Sequence, residues 1–268
     1  MVKNLADILD KELPTIIYEI ARQYNVPEYQ KNQDYAEERL HQWHQYGLLT
    51  HTRLVRKIFR EDIKDLFQQW KVYDKVEKAL SKSVGDYKKK DLFEVAILPH
   101  DLGKITVVGD TRVTRNHEML SLQLTKSSVI HNIFQEQGLS VEEVKYIEDI
   151  VRTNGVVSEE IRNILRDEDN LNFSFINSNR VDRYLEKVIK KYKKLSLEAG
   201  VFFVCDTLAK TSIHLDVKKD EELRAKEEEV ERTISEQRLK PQLKKGIMQF
   251  PLSMRIGELY LSAVINNF

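Results

Sequence analysis

Apolar residues recur at helical spacing along most of the chain. Leu5, Ile8 and Leu9, then Ile16, Ile17, Ile20 and Ala21, fall on one stripe of a 3.6-residue period. Pro14 interrupts that stripe. It lacks an amide hydrogen and its ring clashes with the preceding turn, so two short helices are expected instead of one. Residues 33–46 read as the next helix, stopped by Gly47, a residue suited to the left-handed conformation that ends helices. Residues 48–59 follow, with Leu48, Leu54, Val55, Ile58 and Phe59 on the buried side, and 62–82 continue in the same manner.

The second half keeps the period. Residues 83–90 form a polar connector, and 105–116 are the one stretch that reads as loop or short hairpin. A helix is expected over 117–137, ended by Gly138. Ser140 and Glu143 make a capping box for a helix to about 153, and Ser158 is placed to cap a short one to about 166. A long apolar helical stretch runs over 173–215 through Phe202, Phe203, Val204 and Leu208. Residues 216–240 are dense in charge, with sparse apolar points at Leu223, Val230, Ile234 and Leu239. That seam is too thin for a coiled coil and suits a solvated amphipathic helix. Residues 247–268 carry enough apolar side chains to pack back on the body.

Composition agrees with this pattern. Only 9 Gly and 5 Pro occur in 268 residues, and 41% of positions are hydrophobic, enough for one large domain with appendages. The 43 basic and 43 acidic residues cancel, so no global charge favours nucleic acid or a membrane surface. A local basic run, Lys187, Lys190, Lys191, Lys193 and Lys194 with Tyr184 and Tyr192, is outweighed by that balance and lacks an aromatic platform. The single cysteine, Cys205, excludes an internal disulfide framework and suits a small core residue in a reducing interior. No apolar run suits a secretory signal or a membrane span, so a cytoplasmic protein is expected.

Metal chemistry is concentrated in residues 93–104. An apolar run of Phe93, Val95, Ala96, Ile97 and Leu98 delivers His100 and Asp101 to a Gly-containing turn. Imidazole and carboxylate together suit Zn, Mn, Fe, Ni or Co, and Mg with further oxygen ligands. Two ligands do not make a site. His51, alone amid apolar neighbours, is by itself an ordinary core histidine. Asp206 follows four apolar residues and Cys205, and a carboxylate buried in that way demands a cation, a proton or several hydrogen bonds. His117 lies just beyond the loop that follows the His-Asp pair, within reach of the same cleft.

His51, then His100-Asp101 in Leu-Pro-His-Asp-Leu-Gly-Lys, then Asp206 in a helical chain, resembles the HD-domain superfamily of metal-dependent phosphohydrolases. The resemblance spans roughly 48–213. It implies an all-α, HD-like helical bundle over 48–215, with N-terminal helices in 1–47 and, in 216–268, the charged helix and a C-terminal helix. It further implies that His51, His100, Asp101 and Asp206 hold a divalent metal ion, one ion more than two, because residues 148–155 carry no histidine and Asn154 is a poor substitute. His117 matches the additional histidine after the pair, and Lys104 sits at the cleft. Arg112 and Arg115, on the loop before His117, join Lys104 as candidates for a substrate phosphate. Asp101 can also orient or deprotonate the attacking water. The activity so implied is hydrolysis of a phosphoester in a nucleotide or another small phosphorylated substrate. The rival expectation is a ligand-sensing or partner-binding scaffold of the same fold with little turnover. His131 is about 21 Å along a shared helix from His117 and so too far to join it. His41 and His44, three apart, lack a third ligand, and His214 has no supporting context.

Overall fold

A helix buried on every side has to be the centre of something, and two such helices organise this protein. The computed structural model describes residues 5–25, 48–107, 117–166, 179–209 and 241–266. In chain order these form α1 (Leu5–Gln23), α2 (Leu48–Lys57) running into a π-helical turn (Ile58–Asp62), α3 (Ile63–Gln69) and α4 (Tyr73–Leu80). A small antiparallel hairpin of β1 (Ser83–Val84) and β2 (Tyr87–Lys88) leads into α5 (Lys89–Ile97) and a 3-10 helix (Leu102–Val107). Then come α6 (His117–Thr125), α7 (Ser128–Glu136), α8 (Val141–Arg166), α9 (Asn179–Lys191), α10 (Ser196–Ala209) and α11 (Pro241–Asn266). The fold is all-α.

The two central helices are α5, buried at every position from Leu92 to Ile97, and α10, buried along its whole length. Helix α5 packs against α1, α2 and α8, while α10 packs against α2, α8 and α11. Hydrophobicity all round marks a helix with neighbours on all faces. The α10–α11 seam is close because each helix offers a glycine to the other. A Cβ on Gly200 would lie 2.7 Å from Leu261, and one on Gly257 would lie 2.9 Å from Val204. Ile256, Tyr260, Leu261, Val264 and Ile265 of α11 are buried, so the C-terminal helix does pack back on the body.

Several expected boundaries fall elsewhere. Pro14 does not divide α1, which is one helix. A proline leaves the carbonyl four residues earlier without its helical donor, and here Arg53 Nη2 donates to that Asp10 carbonyl at 3.4 Å. Buried Leu9, Leu13, Ile16 and Ile17 hold the helix in place on either side. The stretch 62–82 breaks at Lys71, which takes a positive φ of 59°, and the expected connector at 83–90 is the hairpin, turning at Gly85 with φ 57°.

The helix expected over 117–137 is two. Thr125 Oγ1 donates to the Ser121 carbonyl and Ser127 Oγ to the Leu124 carbonyl, so side-chain hydroxyls take acceptors at the helix end and α7 starts afresh at Ser128. The converse holds for 140–166. The capping box is present, with Ser140 N–H donating to Glu143 Oε2 at 2.6 Å and Glu143 N–H to Ser140 Oγ at 3.3 Å. Yet α8 runs unbroken to Arg166, so no new helix begins at Ser158. Within 173–215, the described part is α9 and α10, separated by a turn at 192–195. The helices expected at 33–46 and 216–240 lie outside the described residues, as does most of the 105–116 stretch.

Candidate metal centre

Four side chains that are far apart in sequence meet between α2, α5 and α10. His51 projects from the first turn of α2, His100 and Asp101 occupy the turn after α5, and Asp206 sits near the end of α10. One donor atom from each lies within 4.8 Å of all the others, and all four residues are buried. His51 Nε2 is 3.1 Å from Asp206 Oδ1 and 3.5 Å from Asp101 Oδ2. His100 Nε2 is 3.2 Å from Asp101 Oδ2 and 3.9 Å from Asp206 Oδ1. Bonds of about 2.0–2.2 Å to a common ion place neighbouring ligand atoms about 3–3.6 Å apart; three of these four separations fall in that range and the 3.9 Å one lies just outside it.

His100 is aimed by its surroundings. His100 Nδ1 donates to the Ile97 carbonyl at 2.6 Å, which leaves Nε2 as the lone-pair atom. That Nε2 is buried and has no hydrogen-bond partner, facing the two carboxylates instead. The His100 ring leans on Phe202 at 5.1 Å, and Phe202 on Phe93 at 5.5 Å. An aromatic column thus holds the ring from behind. Phe202 precedes Asp206 by one helical turn, so α10 supplies both a ligand and the support of another ligand.

The electrostatics fit a cation. Two carboxylates are buried in the cluster, and their negative charge, which burial makes costly, is of the sign a divalent ion would offset. Burial outweighs the pull of Asp206 and Asp101 and holds the His51 imidazole below its ordinary value, in the ligand-ready neutral form. Burial alone would raise the Asp101 carboxyl. The His100 ring and the Lys104 ammonium, with the His117 contact, overcome it and keep the carboxyl well below the usual range. This buried group of His51, His100, Asp101 and Asp206 can hold a metal ion.

Lys104 and His117 belong to the same cluster. Lys104 Nζ is 2.5 Å from Asp101 Oδ2 and His117 Nε2 is 3.4 Å from Asp101 Oδ1. Both are less buried than the four ligands, so the cluster opens on their side. Gly103 makes this possible: a Cβ there would lie 2.1 Å from the His117 carbonyl oxygen, and its own N–H donates to Ser121 Oγ at 2.9 Å. Glycine lets the first turn of α6 press against the His-Asp turn.

Sequence reasoning missed Glu118, whose Oε2 is 3.5 Å from His117 Nδ1 and whose side chain packs where a Cβ on Gly155 would sit. An acidic neighbour of a histidine carries no signal until the helix phase is known. Arg112, Arg115, His41, His44 and His214 lie outside the described residues. His131 is half-exposed on α7 and outside the metal-competent group, although α6 and α7 are separate helices and not the shared one expected. Cys205 is buried, and burial and then Asp206 push its thiol far above the ordinary range, as suits an inert core residue. A surface depression lined by Gln68, Lys71, Tyr73 and Asp74 shares no residue with the cluster. Among the described residues, no helix is long and apolar enough to cross a membrane. Comparison with family models, with curated proteins and with solved structures finds no match.

Proposed function

We propose that the chain is a metal-dependent phosphohydrolase of the HD-domain type, cleaving a phosphoester in a nucleotide or another small phosphorylated substrate. The observation that carries this reading is the convergence of His51, His100, Asp101 and Asp206 donor atoms within 4.8 Å in a buried, all-helical setting. Their order along the chain is similar to that of the HD-domain enzymes.

A divalent ion held by these four residues, one ion and not two, would act as a Lewis acid on a phosphoryl oxygen and make a bound water more acidic. The remaining roles fall to the chain's own groups. Asp101 turns Oδ2 toward the His51 and His100 nitrogens and Oδ1 toward His117, so one carboxylate spans ligand and proton-transfer duties. His117, flanked by Asp101 and Glu118 and less buried than the ligands, is positioned to pass a proton to the leaving oxygen. Lys104 supplies positive charge at the open side for the equatorial phosphoryl oxygens, with Arg112 and Arg115 on the segment leading into α6 as its partners in that task.

The test is a panel of nucleotides and an aryl phosphoester assayed with Mn- or Ni-loaded protein. Turnover that Asp101→Ala abolishes, with the helical circular dichroism intact, is the expected result. Ligand binding without turnover under any metal would favour the sensing scaffold instead.

A further inference from the structure

Beside the metal cluster lies a second polar group, an interior arginine–glutamate pair with more exposed carboxylates around it. Arg56 of α2 uses every nitrogen of its guanidinium. Nε donates to Glu94 Oε1 of α5 at 2.7 Å, Nη1 to Asp10 Oδ2 of α1 at 3.1 Å, and Nη2 to Asp7 of α1. The Arg56 and Glu94 side chains are 8% and 9% exposed, so this is an interior pair. Arg60, from the π-helical turn, backs it at 3.5 Å from Glu94 Oε1, and Arg53 Nε holds Asp10 Oδ1 at 2.9 Å. A planar fork that donates to the buried Glu94 and to Asp10 and Asp7 of α1 has a preferred orientation, so it sets the rotation of α2 about its own axis as well as its distance from α5.

Those two helices are the ones that bring His51 and the His100-Asp101 turn together. His51 lies five residues before Arg56, and His100 six residues after Glu94. Hydrophobic packing alone permits small slides and rotations between helices. A shift of about 1 Å at a preorganised site is enough to spoil it.

We infer that Arg56 and Glu94 are positioning residues of the metal centre, locking α2 to α5 so that His51 faces the His100-Asp101 pair, and that α1 braces this lock through Asp7 and Asp10. The inference rests on the metal-binding part of the proposed function. Its mark is that affinity for the ion and the shape of the ion's site depend on a pair that touches neither.

The experiment titrates metal-free, full-length protein with Co²⁺ and Mn²⁺ alone, following heat of binding and the visible absorption of Co²⁺, which reports coordination geometry. The variants are R56M/E94L, which replaces the pair by apolar side chains of similar size, and E94Q, which keeps the shape and removes the charge. Such an apolar replacement often leaves stability unchanged or raised. Folded variants should bind Co²⁺ roughly tenfold more weakly or worse, with an altered absorption band. Wild-type affinity and an unchanged band in either folded variant would overturn the inference while leaving the metal centre standing. Should the double variant fail to fold, E94Q decides alone. Absence of Co²⁺ and Mn²⁺ binding by the wild-type protein would remove the metal centre itself, and the inference with it.

Discussion

The protein holds two groups of charged and polar side chains, each with a buried centre, only a few helical turns apart, and they are built on opposite plans. Around Arg56 every charge has its counter-charge: Arg53, Arg56 and Arg60 alternate with Asp7, Asp10 and Glu94. Around His100, two carboxylates face two imidazoles, one with a bare nitrogen pointing inward, and a single lysine, so the carboxylates outnumber the one fixed cation. The first plan is complete without any added group. The second suits an added cation. Burial of charge is therefore uninformative by itself; the sign left over after pairing separates a structural lock from a binding site.

This contrast can be broken or sharpened by experiment. The largest effect on folding is expected from Arg56→Met alone, which leaves the interior Glu94 carboxylate with only the half-exposed Arg60, 3.5 Å away, as a cationic partner. Losses for breaking one side of a buried pair run to about 3–5 kcal/mol, and urea unfolding should show a loss of that order. A loss below about 1 kcal/mol would mean that the pair is wet. Gly103→Ala comes next, because its methyl would sit 2.1 Å from the His117 carbonyl oxygen and 2.7 Å from the Ser121 nitrogen. Overpacking of this kind costs about 1–3 kcal/mol. Since α6 must retreat, any turnover should fall more than metal affinity does, a split that separate binding and rate measurements would reveal.

The smallest effect is on pH dependence. His51 is held below its ordinary 6.5, so in metal-free protein the unfolded chain takes up a proton that the folded one refuses. Stability should therefore decline as pH falls through 6.5. Asp101, depressed below 3.8, contributes stability that is complete above that value and is lost as pH falls further toward its folded-state value. Urea midpoints in chelator at pH 7 and pH 5.5 should differ in the first sense, and His51→Gln should shrink the difference. Guanidinium groups do not titrate in this range, so acid should loosen the imidazole cluster before the arginine lock.

Much of this was legible before any coordinates. Scarce glycine and proline with a sustained 3.6-residue period left little room for anything but helices, and the apolar runs before His100 and Asp206 marked both as side chains delivered from apolar segments. Helix ends were less legible, because local rules yield to packing. Pro14 stays inside α1 because Arg53 serves the carbonyl that proline leaves bare. Gly155 does not stop α8, since its missing side chain makes room for Glu118. The arginine lock was invisible for a different reason. Arg56 and Glu94 are ordinary surface residue types, and nothing in a one-dimensional pattern says that three helices will close over them.

The glycine seam between α10 and α11 has a consequence for the ligand set. Gly200 and Gly257 let α11 lie against the far side of the helix that carries Asp206. A methyl added to either would press on side chains of the partner helix, Leu261 and Tyr260 or Val204, and strain the seam on the helix that carries Asp206. The placing of Asp206 among the four side chains thus depends in part on this seam, and on two positions outside the cluster.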